Sequence, residues 1–112
     1  MAERRIPDPT LMARLQLSVK GVDWAASLVA HRQHEQVNGG WSAHQHVAHL
    51  LAAELNVFQA RVRRMIEEDL PVFEEWDEVG YMETMYRRDG EIGDLADEFM
   101  RQREATAELF KA

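Results

Sequence analysis

The chain contains no cysteine. Disulfides and thiolate chemistry by the protein itself are therefore excluded, and no thiolate competes with histidine for a metal. Proline occurs only three times. No apolar run approaches the roughly 20 residues that span a bilayer, so no membrane partner is expected. The opening stretch from Met1 to Thr10 is charged and carries two of the prolines. It lacks the apolar centre of a signal peptide, which makes a cytoplasmic location the expectation. An excess of basic charge is also missing. Thirteen Lys and Arg stand against 20 Asp and Glu, for a net charge of −7, and phosphate backbones require the opposite sign, so no nucleic-acid partner is expected. Arg61, Arg63 and Arg64 do cluster, but Glu67, Glu68 and Asp69 follow at once and mark a solvated helix face. Strand-type alternation, internal repeats and low-complexity segments are all lacking.

What is present is the composition of an ordinary globular domain, 46% apolar and 29% charged in 112 residues. One domain over 1–112 is expected. Its class is all-α, because the apolar residues recur at helical spacing throughout. Asp8-Pro9 supplies an N-cap and a first-position proline for a first helix over about 9–31, with Leu11, Leu15, Val19, Val22, Ala26 and Val29 as its stripe. The polar run from His31 to Gly40, with Asn38-Gly39-Gly40 as a turn, ends it. Ser42 and Gln45 form a capping-box pattern for a second helix over about 43–69, with Trp41 placed to staple onto His46 or Val47. Its stripe reads Val47, Leu50, Leu51, Val57 or Phe58, Val62, Met65 and Ile66, and Leu70-Pro71 closes it. A third helix over about 93–111 carries Leu95, Phe99, Thr106, Leu109 and Phe110. The connection over 71–91 is long enough to run back along a bundle, so helices two and three are expected to be parallel.

The chemistry-bearing segment is Trp41-Ser42-Ala43-His44-Gln45-His46-Val47-Ala48-His49-Leu50. His46 and His49, at i and i+3, share a helix face and can offer two imidazoles to one divalent metal, whereas His44 lies about 200° around from His46. The plain alternative is that these are hydrogen-bonded histidines at a helix start. Small residues, Ala52, Ala53 and Ala60, follow His49, leaving room for a ligand or for close helix approach. Glu54 is badly phased to share a metal with His49 and is expected to orient a neighbour instead. His31 and His34 sit at the end of helix one, where a cation complements the helix dipole. No histidine follows His49.

These residues resemble the DinB/YfiT-like superfamily. The resemblance rests on Gly39-Gly40-Trp41-Ser42, then His49-Leu50, Glu54 and Arg61-Val62, with Gln45 and His49 at the positions four and eight after the tryptophan. Trp76-Asp77 and Phe99-x-x-x-Arg103-x-x-Thr106 add to it, and it covers roughly residues 10–110. It implies a four-helix bundle with a long crossover between helices two and three. It also implies a divalent metal held by three histidines, and thiol-dependent S-transferase or isomerase activity with bacillithiol, mycothiol or glutathione. The chain departs from the pattern in two respects. It has no His-x-x-x-His pair on a fourth helix, and His46 stands where relatives are apolar. Only His49 is carried over as a ligand.

Three readings follow. The first is a DinB-like bundle with an incomplete metal site, non-catalytic as a single chain and self-associating as a homodimer. The second is a metalloenzyme whose Zn²⁺ or Ni²⁺ site, built from His46 and His49, is completed across the dimer interface. The third is a bundle that binds an apolar small molecule through Trp76, Tyr81, Tyr86 and the methionines.

Overall fold

A computed structural model describes the backbone of residues 9–36 and 38–111. The expected N-cap Asp8 and the side chains of Leu11 and Leu15 lie outside the described residues. Helix α1 (Pro9–Val29) runs into one 3-10 turn (Ala30–Arg32). A long central helix follows in three segments: α2 (Ala43–Ala53), a π-helical stretch (Glu54–Gln59) and α3 (Ala60–Glu67). The short helix α4 (Glu78–Met85) lies within the crossover, and α5 (Ile92–Lys111) follows it. The extended pairing among the described residues is one isolated bridge between Gln36 and Ser42, so the class is all-α. The central helix ends at Glu67, two residues before the expected boundary. Glu68 is already extended, and Pro71 biases the residue before it the same way.

The local signals explain the start of the central helix. Asn38 (φ 53°) and Gly39 (φ 73°) both occupy the left-handed region, which closes the tight turn between Gln36 and Ser42. The Ser42 hydroxyl then accepts from the Gln45 amide at 3.2 Å, and the Gln45 side chain accepts from the Ser42 amide at 2.9 Å. This reciprocal cap satisfies two donors that a helix start leaves orphaned. Ser42 is buried, so water cannot replace its hydroxyl. Ser42→Ala is expected to cost about 1 kcal/mol of stability, read as a lower urea midpoint at unchanged slope.

Cross-helix bonds set the directions. His44 reaches Gly90, Glu54 reaches Arg103 and Gln59 reaches Thr106, so residue numbers rise together along the central helix and α5. The two helices are parallel, and the 68–91 segment returns the chain between them. Helix α1 is antiparallel to both: Ala26, near its end, packs with Val47 near the start of α2 and with Ile92 and Ala96 near the start of α5. Alanines at positions 26 and 96, both buried, allow this close approach.

The π stretch decides what faces α5. In a regular α-helix Glu54 and Gln59, five positions apart, would point about 140° apart. The wider π turn makes i and i+5 neighbours. Both residues therefore reach α5, Glu54 to Arg103 and Gln59 to Gln102 and Thr106. Asn56 donates to the Ala52 carbonyl at 2.8 Å within this irregular turn.

Candidate functional site

The three histidines of the central helix have separate fates. His44 is fully buried. Its Nε2 lies 3.1 Å from the Gly90 carbonyl and its Nδ1 lies 2.6 Å from the Tyr86 hydroxyl. A carbonyl only accepts, so Nε2 carries the proton and Nδ1 takes the tyrosine's. Burial is the main cause that pushes the His44 pKa below its ordinary value and also pushes the Tyr86 phenol up. The same junction is tied by Gln33. Its carbonyl accepts from the His44 amide at 2.9 Å, while its side chain accepts from the Ile92 amide at 2.7 Å and donates to Glu91 at 2.7 Å. The ends of three elements therefore meet at two side chains. His34 packs its ring 4.5 Å from that of His44, and His31 is exposed in the 3-10 turn, so both lie in the segment that closes α1.

His49 does not enter the core. It sits half-buried at the rim, with Nε2 2.9 Å from a Glu78 carboxylate oxygen at the start of α4. Trp76 stacks on one side of its ring at 6.0 Å, and Trp41 approaches at 5.3 Å. Tyr81 extends the cluster against Trp76. His46 is exposed and meets Trp41 edge-on at 5.4 Å, fulfilling the expected staple. Trp41 thus lies against both proposed ligands. The described residues contain no group of three or more His, Asp or Glu placed to hold a metal ion.

The buried charge lies elsewhere. Glu54 is wholly enclosed, and its Oε2 accepts from Arg103 Nε at 2.9 Å and Nη2 at 2.8 Å. Its Oε1 has no partner. The guanidinium is held between the rings of Phe58 and Phe99, at 5.9 Å and 5.4 Å. The expectation that Glu54 orients a neighbour is met in that Arg103 is its partner. The pairing itself had a legible signal: an acid in phase with Val47 on the buried stripe demands a cation on the facing helix. His44 carried a similar one, lying three residues before Val47 on the same face.

At the crossover, Arg61 donates to the Glu74 carbonyl at 3.0 Å and covers the Phe73 ring together with Arg64. On the same face Arg64 pairs with Glu68, four residues on, at 2.7 Å on the surface, where such pairs contribute little. The arginine cluster is therefore tied into the crossover and the helix face.

No helix among the described residues is long and apolar enough to cross a membrane. No protein family, curated protein or solved structure matches the chain.

Proposed function

We propose that this chain is a DinB-like helical-bundle protein that acts as a homodimer, non-catalytic as a single chain, with a second copy covering its open face. The observation that carries the reading is an apolar surface that the described residues leave uncovered. On α1, Leu17, Trp24 and Leu28 are 61%, 66% and 55% exposed, and their spacing sets them on one stripe. On the central helix, Leu50, Phe58 and Met65 are exposed at similar spacing. Extended apolar surface of this kind usually marks an interaction site. A two-fold arrangement is the commonest way for identical chains to bury it.

A second reading, a metal site completed across that interface, is favoured by the bond between His49 and Glu78. Imidazole nitrogen and carboxylate oxygen are both ligands for Zn²⁺, and imidazole also suits Ni²⁺. Two donors fall short of the three or four that a zinc site takes from protein. One chain therefore does not fit the ion alone, and the two-fold partner would have to double the set. His46, on the far side of Trp41, would enter only by such an arrangement.

Sedimentation at about 10 µM tests both readings, at a concentration where dimers with micromolar dissociation constants are populated. A dimer is expected, reduced to a folded monomer by Trp24→Glu with Met65→Glu. A monomeric parent protein overturns the first reading. For the second, Zn²⁺ is expected to tighten the dimer, and His49→Ala to abolish the tightening. A metal response that survives His49→Ala overturns it.

A further inference from the structure

A cleft of about 290 Å³ lies between the central helix and the crossover, away from the α1 stripe. Its floor is Ala48, Leu51, Ala52 and Leu55, and α4 forms its other wall with Tyr81, Met82 and Met85. The hollow exists because positions 48 and 52, one turn apart on the same face, are alanines. Larger side chains there would fill it. Met85 is exposed at the wall, and a methionine's unbranched, polarizable side chain adapts to differently shaped apolar groups. The volume falls at the lower limit of small-molecule sites, which confines the occupant to a few heavy atoms beyond its polar head.

The rim defines that head. Arg87 and Asp89 both line the cleft, two residues apart on the extended stretch that follows α4. Both are exposed, and neither takes part in an ion pair or side-chain hydrogen bond among the described residues. Two opposite charges on one rim discriminate by sign. A simple carboxylate gains Arg87 but meets Asp89 and a chain of net charge −7. A simple amine gains Asp89 but meets Arg87, with Arg88 beside it in sequence. A ligand bearing both charged groups on one carbon satisfies both residues at once, and its apolar substituent can occupy the alanine hollow.

We propose that this cleft binds an apolar α-amino acid, its carboxylate at Arg87, its ammonium at Asp89 and its side chain over Ala48 and Ala52. The site is independent of self-association, because its lining does not include Leu17, Trp24, Leu28, Leu50, Phe58 or Met65.

The test is a ligand titration followed by calorimetry and by methyl NMR of Met82 and Met85, on the full chain. The probes are L-leucine, 4-methylpentanoate, which lacks the ammonium, and 3-methylbutylamine, which lacks the carboxylate. L-leucine is expected to saturate in the millimolar range, and each single-charge analogue to bind about tenfold or more weakly. Arg87→Gln and Asp89→Asn are each expected to lose about tenfold for L-leucine, with unchanged helical circular dichroism. Ala48→Leu, filling the half-buried edge of the hollow, is expected to abolish the response. A second variant, Ala48→Val, guards against misfolding and is expected to weaken binding in proportion to the volume added. Equal binding of all three probes overturns the zwitterion assignment, and so does L-leucine binding that is indifferent to both rim variants. No response to L-leucine at about 20 mM, well above a millimolar dissociation constant, overturns the site itself.

Discussion

Arg103→Leu is expected to destabilise the protein by about 3–5 kcal/mol, the range for removing one member of a buried ion pair. The cost does not come from losing a favourable bridge. It comes from what remains: the Glu54 carboxylate, fully enclosed beneath α5, with one oxygen already unpartnered. Without the guanidinium its second oxygen is orphaned as well. Arg103 also fills space between Phe58 and Phe99, so part of the loss is packing. Domain stabilities lie at about 5–15 kcal/mol, and the variant is expected to unfold at a much lower urea concentration. Glu54→Leu should cost less, because the Arg103 side chain is 17% exposed and can turn its charge to water. The double variant Glu54→Leu with Arg103→Leu should recover most of the loss, since apolar replacement of both partners is often neutral or better. Equal losses for the two single variants that simply add in the double variant would refute this account of the pair.

That pair also shows where pattern reading reaches its limit. The three long helices and the Ser42–Gln45 cap were legible from local spacing, and the parallel crossover from the length of the connection. Of the central helix's predicted stripe, Val47 and Val62 are buried but Leu50, Met65 and Ile66 are exposed, and the phase loses definition after Leu51. Beyond it the sequence offered Val57 or Phe58 without deciding between them. The cause is the π stretch over 54–59, which slips the helical phase and brings Glu54 and Gln59 to the same neighbour. Nothing local announces such a turn; it is held by Arg103, Gln102 and Thr106 from a helix more than 40 residues away in sequence. The histidines follow the same logic. Phase correctly set His44 apart from His46 and His49 and placed it on the Val47 face, but phase alone does not say what meets each face. The ligand role that the resemblance gives His49 would turn it inward; it takes a rim position instead, because α4 and Trp76 arrive there from the crossover. His44 takes the interior place because Tyr86 and Gly90, from the other end of that crossover, supply both of its hydrogen bonds.

Stability should therefore depend on pH through His44. Its pKa is lowered in the folded chain, first by burial. The nearby charges of His34 and Arg88 push the same way, while the bond to the Gly90 carbonyl and the charge of Glu91 oppose them. The ordinary value, which the unfolded chain keeps, is 6.5. As pH falls through 6.5, the unfolded chain takes up a proton that the folded imidazole resists. More protons bound in the unfolded state means that stability falls with falling pH. The loss begins at the unfolded value and continues downward until the lowered folded value is reached; above 6.5 the contribution is complete and flat. The chain carries four other histidines, so the measurement is a difference between two proteins. Urea midpoints of the parent chain and of His44→Ala are compared from pH 5 to pH 8. At pH 8 the variant should be about 2–4 kcal/mol less stable, from the cavity and from the loss of the bonds to the Gly90 carbonyl and the Tyr86 hydroxyl. Towards pH 5 the gap should narrow, because only the parent chain carries the His44 penalty. A gap that stays constant or widens on acidification would show that His44 is not the buried neutral imidazole joining the first turn of α2 to Tyr86 and Gly90.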